Sequence, residues 1–447
     1  MQAADPRRLG EVSNLVRSGD LSPTFLVERC LERIEARREL NAFITVMADS
    51  AMDAARTAAR EIADGRYRGR LHGIPVSVKD LIDVAGTKTT SGSGVPPLEP
   101  SRDAEVVRRL REAGAIIIGK TNLHEFAFGT TGEDTAFGPI RNPYDSARSA
   151  GGSSSGAAVA LVEGMCFASI GTDTGGSIRI PAAACGTVGL KGTYGEVPAD
   201  GVVPLSRTCD HVGPLTRTVG DAFILMEVLA GKRIHQALGG SRGTFGLPQG
   251  YLLAKLDPQV RESFERTVKA LASAGHRVRP VEIPLADITA DVYLHVVLPE
   301  ASEYHAPMLA AHADKYSPNV RLRLEMGRYL LAEDYVRAMR LRQQLTASVD
   351  AALAGCDALL LPALAIPAPL LGASTVTIDG AEEPVRAIML RLTQLFNLTG
   401  HPAIALPAGR DAAGLPMGVQ VVGRRGGTAE LLAIAADVEP VARTGHA

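Results

Sequence analysis

The sequence lacks the marks of several large protein classes. It has no polybasic block, and Lys plus Arg (47) nearly cancel Asp plus Glu (49), leaving a net charge of −2. Tracking a phosphate backbone needs a concentrated positive field, so no direct nucleic-acid partner is expected. The most apolar late stretch, "DALLLPALAIPAPLLG" (357–372), is too short to span a bilayer and is interrupted by proline. The opening "MQAADPRRLGEVSNL" holds no apolar run of the kind a secretory leader needs. A soluble, cytoplasmic protein without a membrane partner is therefore the expectation. The five cysteines (Cys30, Cys166, Cys185, Cys209 and Cys356) are odd in number and widely spaced, which suits reduced core thiols better than a disulfide frame. With neither CxxC nor HExxH spacing, no metal and no cofactor is expected.

What is present is an alternation of periodicities. In "SPTFLVERCLERIEAR" Ser22 stands as a cap, Pro23 takes the first helical position, and Leu26, Cys30 and Ile34 recur at helical spacing. Residues 1–65 are thus expected to form a helical region. Over 66–230, short β-branched runs ("IPVSV", "AIIIG", "CFASIG") alternate with amphipathic helices, the pattern of a layered α/β core. The glycine-rich "GKRIHQALGGSRGTFGLPQG" (231–250) follows neither periodicity and is the candidate internal linker. Residues 251–447 then continue the same domain, with a capped helix at "DPQVRES", a strand, more helix over 315–354, and a hairpin around Asp379 and Gly380. No tandem repeat interrupts this order, so one α/β domain over 1–447 is predicted.

Two motif matches fail on their context. "GAIIIGKT" (114–121) satisfies the P-loop pattern, which would give Lys120 a phosphate-binding role in an NTPase, a minor alternative. A P-loop needs a strand before its first glycine. Here an amphipathic helix, "RDAEVVRRLREAG", comes first, so Gly114 reads as a helix cap and "AIII" as the strand. "GSSSG" (152–156) satisfies the nucleophile-elbow pattern with Ser154 central and His401 the only suggestive partner. The elbow also needs a preceding strand, and "NPYDSARSAG" consists of turn formers.

Two Gly/Ser clusters lie in "SAGGSSSGAAVALVEGMCFASIGTDTGGSIRIPAAACGTVGLKGTYG" (149–195), one opening a helix of small residues and one following the strand "CFASIG". In "DTGGS" consecutive peptide N–H groups surround a serine, which is what an oxyanion hole for acyl transfer requires. Further upstream, Lys79 stands at the end of the apolar "GIPVSVKD", where an ammonium needs a partner or a task.

"GGSSSG", "GTDTGGSIRIPAAACGTVGLK" and "GIPVSVKD" resemble the signature of the amidase signature family of serine hydrolases. The resemblance runs on through "GKTNLHEFAFG", "GPIRNPYDSARSAGGSS", "DHVGPLTRTVGDA" and "FNLTGHPAIALPAG", nearly the whole chain. It implies a central mixed, twisted sheet flanked by helices. It further implies a Ser–cisSer–Lys triad, with Ser177 as nucleophile, Ser153 bridging after a cis peptide from Gly152, and Lys79 as base. Backbone N–H groups of Thr174, Gly175, Gly176 and Ser177 would form the oxyanion hole. Asp173 and Arg179 are read as an ion pair fixing the loop, and Ser154 as a support within the first cluster. The sequence departs from the family pattern at Ser155, where glycine is common, and at Gly192, where proline is usual.

The family contains free-standing amidases and the glutaminase subunit of a tRNA-dependent amidotransferase. Met389 and Leu390 stand near where that subunit carries an acid, which favours a free-standing enzyme. Arg342 matches the arginine that the resemblance associates with glutamine's carboxylate. The apolar late region suggests an aryl amide or anilide as substrate, with esters and carbamates open to the same chemistry. Phe126 and Phe128 are pocket candidates, and a homodimer is a family-level expectation.

Overall fold

The β-branched runs between glycines become buried strands. In the computed structural model, which describes residues 8–234 and 242–444, thirteen strands are defined among the described residues. They are β1 (Phe43–Val46), β2 (Pro75–Lys79), β3 (Ile116–Thr121), β4 (Ala168–Asp173), β5 (Val188–Lys191), β6 (His211–Thr216), β7 (Thr244–Pro248), β8 (Arg277–Val281), β9 (Ala358–Pro362), β10 (Thr375–Ile378), β11 (Ala381–Pro384), β12 (Ala403–Arg410) and β13 (Pro416–Val422). Eleven of them make one mixed sheet in the order β1-β3-β2-β4-β6-β5-β12-β13-β9-β7-β8. Every residue of β2, β3, β4 and β9 is buried; β9 is apolar up to its final proline, whereas β2, β3 and β4 carry polar residues toward their carboxyl ends.

Local chemistry sets the element ends. The Ser22 side chain accepts from the Thr24 N–H ahead of the helix Pro23–Ala36, and Asp257 caps the helix Pro258–Ser273 in the same way. The helix Glu105–Glu112 ends before Gly114, whose φ of 82° provides the left-handed turn into β3. Lys120 lies in that strand, its ammonium 2.7 Å from Asp80 and bonded to Thr89 Oγ1 at 2.7 Å. The P-loop pattern is therefore a helix, a turn and a strand, as its context predicts. β10 and β11 pair as a hairpin through Asp379 (φ 50°) and Gly380 (φ 77°).

Part of the expected linker, residues 235–241, lies outside the described residues, and beyond it β7 and β8 join the same sheet. Sequence order and sheet order diverge most at β12, which pairs antiparallel with β5 on one side and β13 on the other. Among the described residues no helix is long and apolar enough to cross a membrane. All five cysteines are buried and free.

Candidate active site

Two neighbouring parallel strands start the site. β2 and β4 run in register, Val78 opposite Ile170, so Lys79 and Thr172 emerge side by side at their carboxyl ends. The carboxyl edge of parallel strands is where an α/β sheet leaves a crevice. Between this edge and the helix Ser155–Val162 passes the first Gly/Ser cluster, and its Gly152–Ser153 peptide is cis. The helix sits this close because it is built of small residues: a Cβ on Gly156 would lie 2.2 Å from the Ala42 carbonyl oxygen.

Lys79 is fully buried and donates from Nζ to Ser153 Oγ at 2.7 Å and to Thr172 Oγ1 at 2.9 Å. No carboxylate pairs with it among the described residues. Burial consequently pulls its pKa down to about 7, with the more distant charges of Asp173 and Asp210 opposing the shift. An amine that is partly neutral near pH 7 and touches a hydroxyl can take that hydroxyl's proton.

Ser177 precedes the helix Arg179–Cys185, and its backbone carbonyl accepts from the Ser154 N–H at 3.1 Å, which locks the two clusters together. Its Oγ makes no hydrogen bond to a described residue, and the same holds for the N–H groups of Gly175 and Gly176. The loop carrying them is held from behind. Thr393 Oγ1 donates to the Gly175 carbonyl at 2.5 Å, and Thr174 Oγ1 donates to Asp210 Oδ1 at 2.6 Å. Gly176 has φ 139°, a left-handed conformation, and a Cβ there would lie 2.3 Å from Thr393 Oγ1.

Asp173 and Arg179 form a fully buried pair, Nη2 to Oδ1 at 2.9 Å and Nε to Oδ2 at 3.1 Å. Asn397 adds a bond to Asp173 Oδ1 at 2.8 Å, and Arg179 also reaches Asn397 Oδ1 and Gln420 Oε1. Burial pushes the Asp173 carboxyl up, but the Arg179 charge and these bonds outweigh it and hold the group below the usual carboxylate range.

The remaining predicted positions divide. Ser154 bonds not within its own cluster but to the Thr172 carbonyl in β4, at 3.2 Å. Ser155 Oγ returns to the Gly151 carbonyl at 2.5 Å, so the departure from glycine adds a bond inside the cluster. Phe126 packs edge-on to His305 (ring centroids 4.4 Å apart) and stacks on Tyr316, a core use. Phe128 lies beneath two guanidinium groups, Arg323 and Arg386. Arg342 donates to the carbonyls of Leu398 (2.5 Å) and Thr208 (2.7 Å), joining its helix to the end of the helix Gln394–Leu398 and to a loop. His401 binds Asp350 and Thr399, and no strand precedes Gly152, so the elbow arrangement is absent among the described residues.

Sequence reasoning missed Thr172, Asp210, Tyr293, Thr393 and Asn397. Thr172 was within reach, since it directly follows the predicted strand "CFASIG" that leads into the second cluster. Tyr293 and Thr393 carried no signal, since each arrives from more than a hundred residues away.

The family model described as Amidase matches residues 26–432. An amidase from Pseudomonas putida is 36% identical over 427 residues, covering 91% of this chain and 90% of that protein. One of the subunits of the glutamyl-tRNA(Gln) amidotransferase from Syntrophus aciditrophicus is 34% identical over 474 residues, covering 96% of each. A crystal structure of an amidase superimposes with a TM-score of 0.94 at 42% identity, covering 97% of this chain and 99% of that one.

Proposed function

Because the chain belongs to the amidase signature family of amide C–N hydrolases, we propose that it is a free-standing amidase acting through an acyl-enzyme on Ser177. The observation that carries this reading is the 2.7 Å contact to Ser153 Oγ from the buried Lys79 ammonium, which has no ion pair among the described residues. In the proposed sequence, Ser177 Oγ attacks the amide carbonyl carbon while its proton passes to Ser153, and the Ser153 proton passes to Lys79. Ser153 serves as relay because a hydroxyl both accepts and donates. The oxyanion accepts from the N–H groups of Gly175, Gly176 and Ser177, with Thr174 held by Asp210 at the loop's entry. When the tetrahedral intermediate collapses, the leaving amine collects the relayed proton. Water, deprotonated through the same relay, then attacks the ester and frees the acid.

An aryl amide or anilide is the substrate class we propose, with Leu390 as the apolar neighbour of the loop at Gly175. Esters and carbamates would share the acyl-enzyme step. A second reading, the glutaminase component of a tRNA-dependent amidotransferase, is favoured by the 34% identity to such a protein over 96% of the chain. Burst kinetics of the purified chain on p-nitroanilides, p-nitrophenyl esters, carbamates and glutamine decides between them. Turnover of aryl substrates by the chain alone, lost in Ser177→Ala and Lys79→Ala, is the expected result. An inert chain that releases ammonia from glutamine only when other subunits have been supplied would overturn it.

A further inference from the structure

Arg386 stands apart from the other cations that burial desolvates: Lys79 donates to two hydroxyls, and Arg217 and Arg391, which also lack a counter-charge among the described residues, donate to backbone carbonyls. Lys120 pairs with Asp80, and Arg179 pairs with Asp173. Arg386, on the helix Val385–Leu390, makes no ion pair or hydrogen bond with any described residue, and its Nε is buried without a partner. Its guanidinium carbon lies 5.9 Å from the centre of the Phe128 ring, and that of Arg323 lies 5.8 Å from the same centre. Arg323 spends one N–H on the Phe128 carbonyl, and the carboxylate that acts on it, Asp134, is already engaged by His124 and Asn319. Burial draws the pKa of Arg323 down to about 10, and the like charge of Arg386 adds to the shift.

Two guanidinium groups crowded over one ring, with no described carboxylate bonded to either, form a costly arrangement unless a ligand supplies the missing contact. Their position shows which ligand could. The segment bearing Phe128 is tied to the site, since the His124 N–H donates to the Ser153 carbonyl at 3.2 Å. Arg386 also acts on Tyr293, a buried phenol whose hydroxyl makes no hydrogen bond to a described residue. A Cβ on Gly175 would lie 2.5 Å from that hydroxyl and 3.0 Å from Leu390, one turn beyond Arg386. Unspent donors of Arg386 and Tyr293 thus lie near the oxyanion loop, and the acids whose charges reach this group, Asp134, Asp173 and Asp210, are each held by other partners.

We propose that Arg386, with Arg323 and the Tyr293 hydroxyl, binds a carboxylate carried by the substrate, so that the preferred substrates are anionic amides. The inference rests on the amidase reading above. A planar guanidinium holds a carboxylate through charge-assisted bonds, and Arg386 acts as a specificity-determining residue rather than a participant in bond cleavage.

The test compares mono-p-nitroanilides of succinic and glutaric acid, and anilides with a ring carboxylate, against neutral partners of matched size. For at least one pair the wild-type protein is expected to favour the anion by tenfold or more in kcat/KM, less so at high salt. Arg386→Met should shrink that ratio by about tenfold to a hundredfold, mainly through KM, and Arg386→Lys should keep part of it. No anionic preference in the wild type, or a ratio that Arg386→Met leaves unchanged, overturns the proposal while leaving the amidase reading intact. If no anilide is cleaved, the amidase reading fails instead. Calorimetry of succinate and glutarate on the Ser177→Ala protein then decides the anion site: saturable binding lost in Arg386→Met supports it, and absence of binding overturns it.

Discussion

At the scale of single residues, Lys79 is governed by what surrounds it. Two hydroxyls replace its water shell, and no carboxylate lies close enough to restore the charged form, so its pKa falls to about 7. As the proposed base Lys79 would act as the neutral amine, so kcat/KM should rise with pH through about 7 and level off above it. A pH–rate profile on a neutral substrate checks the sign; a rate that falls over that range would rule out Lys79 as base. Asp210 sharpens the test. Its charge favours the ammonium, so Asp210→Asn should move the rising limb to lower pH, whereas a merely structural loss would lower the plateau and leave the limb in place. Lys79→Ala should cost about a hundredfold to ten-thousandfold in kcat, the usual worth of a general base.

At the scale of elements, the junction from β4 into the helix Arg179–Cys185 holds Ser177, the proposed nucleophile, and two features keep it in shape. One is Gly176, whose φ of 139° and closeness to Thr393 leave no room for a side chain. Gly176→Ala should therefore reduce kcat by at least about a hundredfold, comparable to losing one oxyanion donor, while near-ultraviolet circular dichroism stays close to wild type. The other is the Asp173–Arg179 pair. Removing only the guanidinium leaves a buried carboxylate uncompensated, and Arg179→Met should destabilise the protein by about 3–5 kcal/mol in urea unfolding. The pairing was legible from sequence spacing, because residues six apart across a strand-to-helix turn can meet. Its outer partners, Asn397 and Gln420, were not, since nothing local links them to Asp173.

At the scale of the whole molecule, the sheet order decides cooperativity. β12, from the last part of the chain, lies between β5 and β13 and closes the ladder that β1 to β6 begin. Both portions flanking residues 231–250 thus leave an unpaired buried edge when separated. Thermal unfolding followed by calorimetry and circular dichroism should show one coincident transition, and fragments cut within 231–250 should not fold alone. Two resolved transitions, or an independently folded fragment, would show that the stretch separates true domains.

The sequence by itself determined the local elements, because capping, periodicity and clusters of small residues act over a few neighbours, and its resemblance to the amidase signature family pointed to Lys79, Ser153 and Ser177. Only the tertiary structure decided which groups surround them. It set Thr172 beside Lys79, Asp210 behind Thr174, and Tyr293 with Leu390 beside Gly175. Those meetings join segments that lie far apart in the chain, and burial, which sets the charge state of each group, exists only once the sheet has closed.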